Sequence, residues 1–185
     1  MKPIYVHLAE GFEEIEAITI IDVLRRAALN VQTVSVTGEH EVTGAHGVPV
    51  KADLLFEKAS YDEAQMIILP GGMPGSKNLM EHTGLSKQLQ QFNREGKMIG
   101  AICAAPMVLG NLGLLNGKKA VCYPGFENQL IGASLSTQPS VVDGTIITGR
   151  GVGAALDFAL NIVKELKDKP TADKLGQALL VYPSK

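Results

Sequence analysis

The chain has 185 residues, 17 Lys and Arg against 19 Asp and Glu, a formal net charge of −2, 45% apolar residues and a mean hydropathy of +0.13. That length predicts one domain over 1–185 with a sizeable core. The charge balance gives no footing for nucleic acid or an anionic membrane, and no apolar run approaches the ~18–20 residues of a membrane span.

In chain order, IYVHLA at 4–9 is short, apolar and partly β-branched, and predicts a buried strand. It follows so closely on the N-terminus that MKPIYVHLAEG does not read as a signal peptide. Residues 13–29 predict a helix with Asn30 suited to its end, and VQTVSV at 31–36 a second strand. Gly44, Gly47 and Pro49 break 41–56 into a short hairpin or edge strands. QMIILPGG at 65–72 is a strand stopped by a Gly-rich loop. GLSKQLQQFNREG at 84–96 is an amphipathic helix, and KMIGAI at 97–102 a strand leading into a helix over 104–112. KKAVCY at 118–123 reads as a further strand. Asp143-Gly144 lies between β-branched pairs and predicts a hairpin over 141–148. Helices over 151–166 and 171–179 finish the chain. Strands alternating with helices imply a mostly parallel α/β sheet covered on both faces, with ligands beyond the carboxyl ends of its strands. Ala9–Gly11, Pro70–Gly72 and Cys103 all fall at such ends.

There are two cysteines, which is no disulfide framework, so both thiols are expected to be free in a reducing cytoplasm. Cys122 sits in a strand-like run and reads as structural. Cys103 lies in GAICAAP, between a strand and a helix, with Ala101 and Ala105 two residues either side. A sharp strand-to-helix turn needs such small neighbours, and this is the layout of a nucleophile elbow. A helix N-terminus is expected to lower the thiol pKa, and the N–H of Ala104 to face any oxyanion. In LPGG, Gly72 is the candidate second donor, because glycine lets backbone approach a ligand closely.

Glu16 breaks a pattern. At ~100° per residue, Ile20, Val23 and Ala27 fall within about 40° of it, so it continues an apolar stripe. Glu14 shares its side with Arg25, and Glu13 and Glu14 read as solvated first-turn acids. Burial of Glu16 raises its pKa, which leaves a protonated carboxyl able to hold or move a proton beside the thiolate. The four histidines, His7, His40, His46 and His82, all precede Cys103 and show no metal-ligand spacing. The absence of a His-x-Glu pattern after the cysteine speaks against a glutaminase.

AEGFEEIEAITIIDVLRRA, LPGG, GAICAAP and GRGVGAALDFAL, in that order, resemble the ThiJ/PfpI family over nearly the whole chain. Within it they resemble the branch of the Parkinson-associated protein deglycase and its bacterial relatives. The resemblance implies a flavodoxin-like sandwich, a homodimer, Cys103 as the reactive cysteine, Glu16 as its protonated partner, and Gly72 and Ala104 as oxyanion donors. It implies glyoxalase III or deglycase chemistry on 2-oxoaldehydes or glycated proteins, with no cofactor and no metal. The alternative is a redox-responsive protein or holdase chaperone with little turnover. Two positions depart from the branch. Tyr123 stands where a histidine is usual and is a poor base at neutral pH. His46 stands near the place of an arginine. Ala104 directly after Cys103 removes the adjacent Cys-His pair of the peptidase branch.

Overall fold

The computed structural model describes residues 1–181. In chain order the elements are β1 (Ile4–Leu8), α1 (Glu14–Arg26), β2 (Val31–Ser35), β3 (Glu41–Thr43), β4 (Pro49–Lys51), β5 (Leu54–Leu55), β6 (Met66–Leu69), α2 (Gly75–Glu81), α3 (Thr83–Arg94) and β7 (Met98–Ile102). They continue with α4 (Pro106–Asn111), β8 (Lys119–Ala120), β9 (Ser134–Leu135), β10 (Ser140–Asp143), β11 (Ile146–Gly149), α5 (Ala155–Leu166) and α6 (Lys169–Ala178). No helix among the described residues is long and apolar enough to cross a membrane.

Seven strands form the main sheet in the order β10-β11-β7-β6-β1-β2-β5. All its pairs are parallel except β10 with β11, which is the hairpin that Asp143-Gly144 predicts. The chain winds one way from β1 through β2 to β5, then the other way from β6 through β7 to β11. The reversal puts a switch point between β1 and β6, and crevices for ligands open at the carboxyl ends there. This is the flavodoxin-like α/β sandwich expected from the sequence.

Both faces of the sheet are covered, which explains its near-continuous apolar strands. Along β1 and β6, alternate residues Ile4, Val6, Leu8, Met66 and Ile68 pack with α1 and α5. Their neighbours Tyr5, Ile67 and Leu69 pack with α3 and α4 on the other side. α3 presents Leu85, Leu89 and Phe92 at i, i+4 and i+7, and the ring of His82 caps it by accepting the Leu85 N–H at 2.9 Å. Gly100 in β7 carries no side chain because a Cβ would lie 2.9 Å from Met66 Cε and 3.0 Å from Phe158 Cζ. The sheet thus receives the Phe158 ring directly.

Two segments differ from the sequence reading. The strand over 118–123 shrinks to Lys119–Ala120, which pairs with β9 outside the main sheet. Beyond it, the Val121 N–H donates to Thr148 Oγ1 at 3.0 Å and the Tyr123 N–H to the carbonyl of Cys103 at 2.8 Å, so these residues tie down the sheet's end instead of extending it. α2 carries no apolar period to announce it, with Leu79 as its buried large side chain. The 41–56 region divides as expected, into the β3–β4 hairpin and the edge strand β5.

Phe158 is fully buried between α5 and the sheet. Phe158→Ala is expected to lose about 3–5 kcal/mol in urea unfolding. A loss below about 1 kcal/mol would show that the ring does not anchor this layer.

Candidate active site

Cys103 follows the last residue of β7 and has φ of +64°, the left-handed region that costs a non-glycine residue about 1 kcal/mol. Its neighbours impose that conformation. The Cys103 N–H donates to the Gly149 carbonyl at 2.9 Å, and its own carbonyl accepts the Tyr123 N–H at 2.8 Å. Ala104 and Ala105 are buried in the turn, and Pro106 opens α4 two residues later than the sequence suggests. The sulfur therefore projects from a strained, fixed elbow at the switch end of the sheet.

Glu16, in the first turn of α1, has no exposure to water. Its Oε2 accepts the Gly71 N–H at 2.8 Å, while Oε1 is buried without a hydrogen-bond partner. Gly71 permits this meeting, since a Cβ there would lie 2.5 Å from Cys103 Cβ and 2.7 Å from Glu16 Oε2. Burial pushes the Glu16 pKa up to about 7, against the pull of the Gly71 N–H and the Cys103 thiol. Burial, and then the charge of Glu16, push the Cys103 thiol up to about 12, while the N–H groups of Gly72 and Ala104 on the sulfur pull it down. The position before a helix predicts a lowered thiol. The reversal comes first from burial and then from the nearby carboxylate, which opposes a second negative charge; α4, only six residues long, offsets little of it.

Gly72 has φ of +90°, and a Cβ there would lie 2.4 Å from the Glu13 N. Both predicted donors, Gly72 and Ala104, therefore converge on the predicted cysteine. A cavity of about 450 Å³ opens over them, lined also by Tyr123, His46, Glu13 and Phe126. Tyr123 is half exposed at its mouth.

His46 is mostly exposed, with Nδ1 2.9 Å from Glu14 Oε2 and 3.6 Å from Glu13 Oε2. The bond to Glu14 and the charge of Glu13 raise its pKa. Glu13 and Glu14 are buried, not solvated as the helix wheel suggests. The β3–β4 hairpin folds across the start of α1, and Gly44 passes so close that a Cβ would meet the Glu14 carboxyl. Burial pushes the Glu14 pKa upward, but the His46 ring and the N–H groups of His46 and Val48 outweigh it and hold Glu14 below its ordinary value. Glu13, Glu14 and His46 have donor atoms within 4.8 Å of one another, a spacing a cation could use. The same contacts are accounted for by the hydrogen bonds to Glu14. His7, in β1, is buried, with Nε2 2.8 Å from the Tyr61 hydroxyl and a pKa lowered by burial to about 3. It belongs to the core.

The raised pKa of Glu16 ties stability to pH. Below about 4.5 the folded and unfolded chains both hold the proton; between there and about 7 only the folded chain does. The stabilisation is complete below 4.5 and is lost as pH rises through 7, by roughly 3 kcal/mol. Urea unfolding of Glu16→Gln beside wild type is expected to show the variant gaining relative stability by about that amount across this window. A constant difference between the two proteins would contradict the burial of an ionisable Glu16.

The sequence pattern of the DJ-1/PfpI family matches residues 2–165. The chain is 35% identical over 185 residues to DJ-1 homolog B of Arabidopsis thaliana, covering 99% of this chain and 42% of that one. It thus spans less than half the length of that relative. A deglycase of Pyrococcus horikoshii is 31% identical over 169 residues, covering 90% of this chain and 100% of the deglycase. The solved structure of oxidized DJ-1 from Toxoplasma gondii is 38% identical and superimposes with a TM-score of 0.93 over 100% of both chains. A matched pattern over most of the chain, a relative covered end to end and a fold shared over its whole length have one reading: the chain belongs to the DJ-1/PfpI family.

Proposed function

We propose that the chain is a cofactor-independent glyoxalase or deglycase, acting on 2-oxoaldehydes or on groups glycated by them, with Cys103 as nucleophile and Glu16 as proton carrier. One observation carries this reading: a buried carboxyl with a pKa of about 7 lies against a cysteine whose sulfur receives the N–H groups of Gly72 and Ala104. The pair holds at most one negative charge. Its singly ionised form, with one proton between oxygen and sulfur, is the reactive one, and it appears as pH rises through about 7.

The Cys103 sulfur bonds to the aldehyde carbon as its proton passes to Glu16. The aldehyde oxygen takes the negative charge, is held by Gly72 and Ala104, and receives that proton from Glu16, which leaves Glu16 a carboxylate again. Glu16 then moves the hydrogen of the former aldehyde carbon to the ketone carbon, through an enediol. One carbon is oxidised and its neighbour reduced, so no external redox agent is needed. Water hydrolyses the resulting 2-hydroxy thioester, freeing the 2-hydroxy acid and the thiol. On a glycated side chain the adduct carbon already carries the amine or thiol, so the Cys103 sulfur displaces it. The S–C bond forms as the bond to the leaving group breaks, the leaving group takes the thiol proton by way of Glu16, and the later steps are the same. Tyr123 offers a hydroxyl donor at the mouth, in place of the family histidine. The P. horikoshii relative, named a deglycase, supports the reading.

A second reading uses the same site. Peroxide can take Cys103 to a sulfinate, which the two N–H groups and a protonated Glu16 are placed to hold. The related T. gondii protein has a solved structure in an oxidized state. The half-buried, raised thiol makes this slow beside a free low-pKa cysteine. Two free cysteines suit a reducing compartment such as the cytoplasm. Exposed Ile15 and Ile18, adjacent on α1, and exposed Val48 on the hairpin form an apolar face beside the site that supports a homodimer.

Lactate formation from methylglyoxal is expected in the wild type, to vanish in Cys103→Ser, and to fall by about 10²-fold or more in Glu16→Gln. Wild-type rates in either variant would sink the assignment. Mild peroxide followed by mass spectrometry is expected to add two oxygens to Cys103 before Cys122, and preferential oxidation of Cys122 would count against the second reading. Ile18→Glu is expected to convert a dimer to a monomer in sedimentation, whereas an unchanged species would exclude this face.

A further inference from the structure

Beyond the Cys103 cavity lies a second cleft of about 430 Å³. Its walls include Pro124, Pro139, Val152 and Arg150, and Tyr123 and Val152 line both spaces. The two clefts therefore adjoin at Tyr123 and Val152. The junction is close to the sulfur: a Cβ on Gly151 would lie 3.1 Å from Tyr123 Cδ2 and 4.0 Å from Cys103 Sγ. Arg150 is the residue before Gly151, so its Cα stands one peptide away, about 3.8 Å.

The second cleft is largely apolar, and Arg150 is its one charged side chain. Arg150 is exposed, and its guanidinium makes no salt bridge among the described residues. Its backbone N–H donates to the Pro139 carbonyl at 2.9 Å, which fixes where the side chain starts whatever that side chain is. A free guanidinium beside an apolar channel matches a ligand with an apolar stem and a terminal carboxylate, which the planar fork can engage through two hydrogen bonds. Methylglyoxal, with three carbons, would not fill both spaces.

We infer that this cleft is a substrate subsite in which Arg150 binds the carboxylate of a larger carbonyl adduct. The ligand class is a glycated amino acid or short peptide, or another 2-oxoaldehyde adduct, whose free carboxylate is separated from the reacting carbon by an apolar group. The inference rests on Cys103 being the attacking group and names the substrate class of that same site. Tyr123 and Val152 form the neck between the reacting carbon and the stem, and glycine at 151 keeps it open.

The test reads binding without turnover. N-iodoacetyl-phenylalanine and its carboxamide differ only in the carboxylate; each alkylates a thiol by forming an S–C bond with loss of iodide. Cys103 alkylation rates at low salt are compared in wild type, Arg150→Lys, Arg150→Gln and Arg150→Glu, with circular dichroism on each. The wild type is expected to prefer the acid. The preference should persist in Arg150→Lys, fall about threefold to fivefold in Arg150→Gln, and fall further in Arg150→Glu. It should shrink for the wild type as salt rises. The subsite is overturned if the wild type shows no preference, if Arg150→Gln and Arg150→Glu keep it, or if both probes fail where iodoacetamide reacts. If methylglyoxal is not turned over but the acid preference depends on Arg150, the enzyme reading fails and the subsite stands.

Discussion

The carboxyl group of Glu16 lies out of reach of water against the sulfur of Cys103, and glycine at position 71 lets them come that close. Everything distinctive about the site follows from this contact. Burial makes ionised Glu16 costly, so the proton stays on it to about pH 7. The carboxylate, once formed, makes a neighbouring thiolate costly as well. Above about pH 7 the pair therefore carries one negative charge and keeps one proton. Such a pair is suited to take the proton of an attacking thiol on a carboxylate that binds it near neutrality, whereas an ordinary carboxylate, near 4.5, would hold it poorly.

The fold supplies what that contact requires. The left-handed backbone at Cys103 would relax if left alone. Hydrogen bonds to Gly149 and from Tyr123 hold it at the ends of two neighbouring chain segments. Glu16 is held by a helix whose other apolar residues, Ile20, Val23 and Leu24, are locked into the core. The β6 loop inserts Gly71 and Gly72 between them. Strands β1, β6 and β7, neighbours at the switch point, thus bring together residues nearly ninety positions apart along the chain. The cost of strain and buried charge falls on a rigid, doubly covered sheet.

How much of this was legible depends on where the determining contacts lie. The strands are readable because both faces are buried and their apolar runs are nearly unbroken. Glu16 stands out because an acid interrupts a helical stripe, and Cys103 because small residues flank it; both signals are local. The burial of Glu13 and Glu14 has no local signal. It comes from a hairpin some thirty residues later, and only the small size of Gly44 hints at the close passage. The direction of the Cys103 shift is likewise a property of the assembled site, where burial and the Glu16 charge outweigh what a short helix contributes. The run ending in Tyr123 has strand composition, yet its N–H groups find partners in Thr148 and Cys103. Composition does not reveal that choice.

The central claim is that a proton resides on the buried Glu16 and leaves near neutrality. Carbon-13 NMR of the Glu16 side-chain carboxyl, followed through a pH titration of the folded protein, measures this directly. The account predicts a midpoint at about 7. A midpoint in the ordinary carboxylate range, near 4.5, would contradict it.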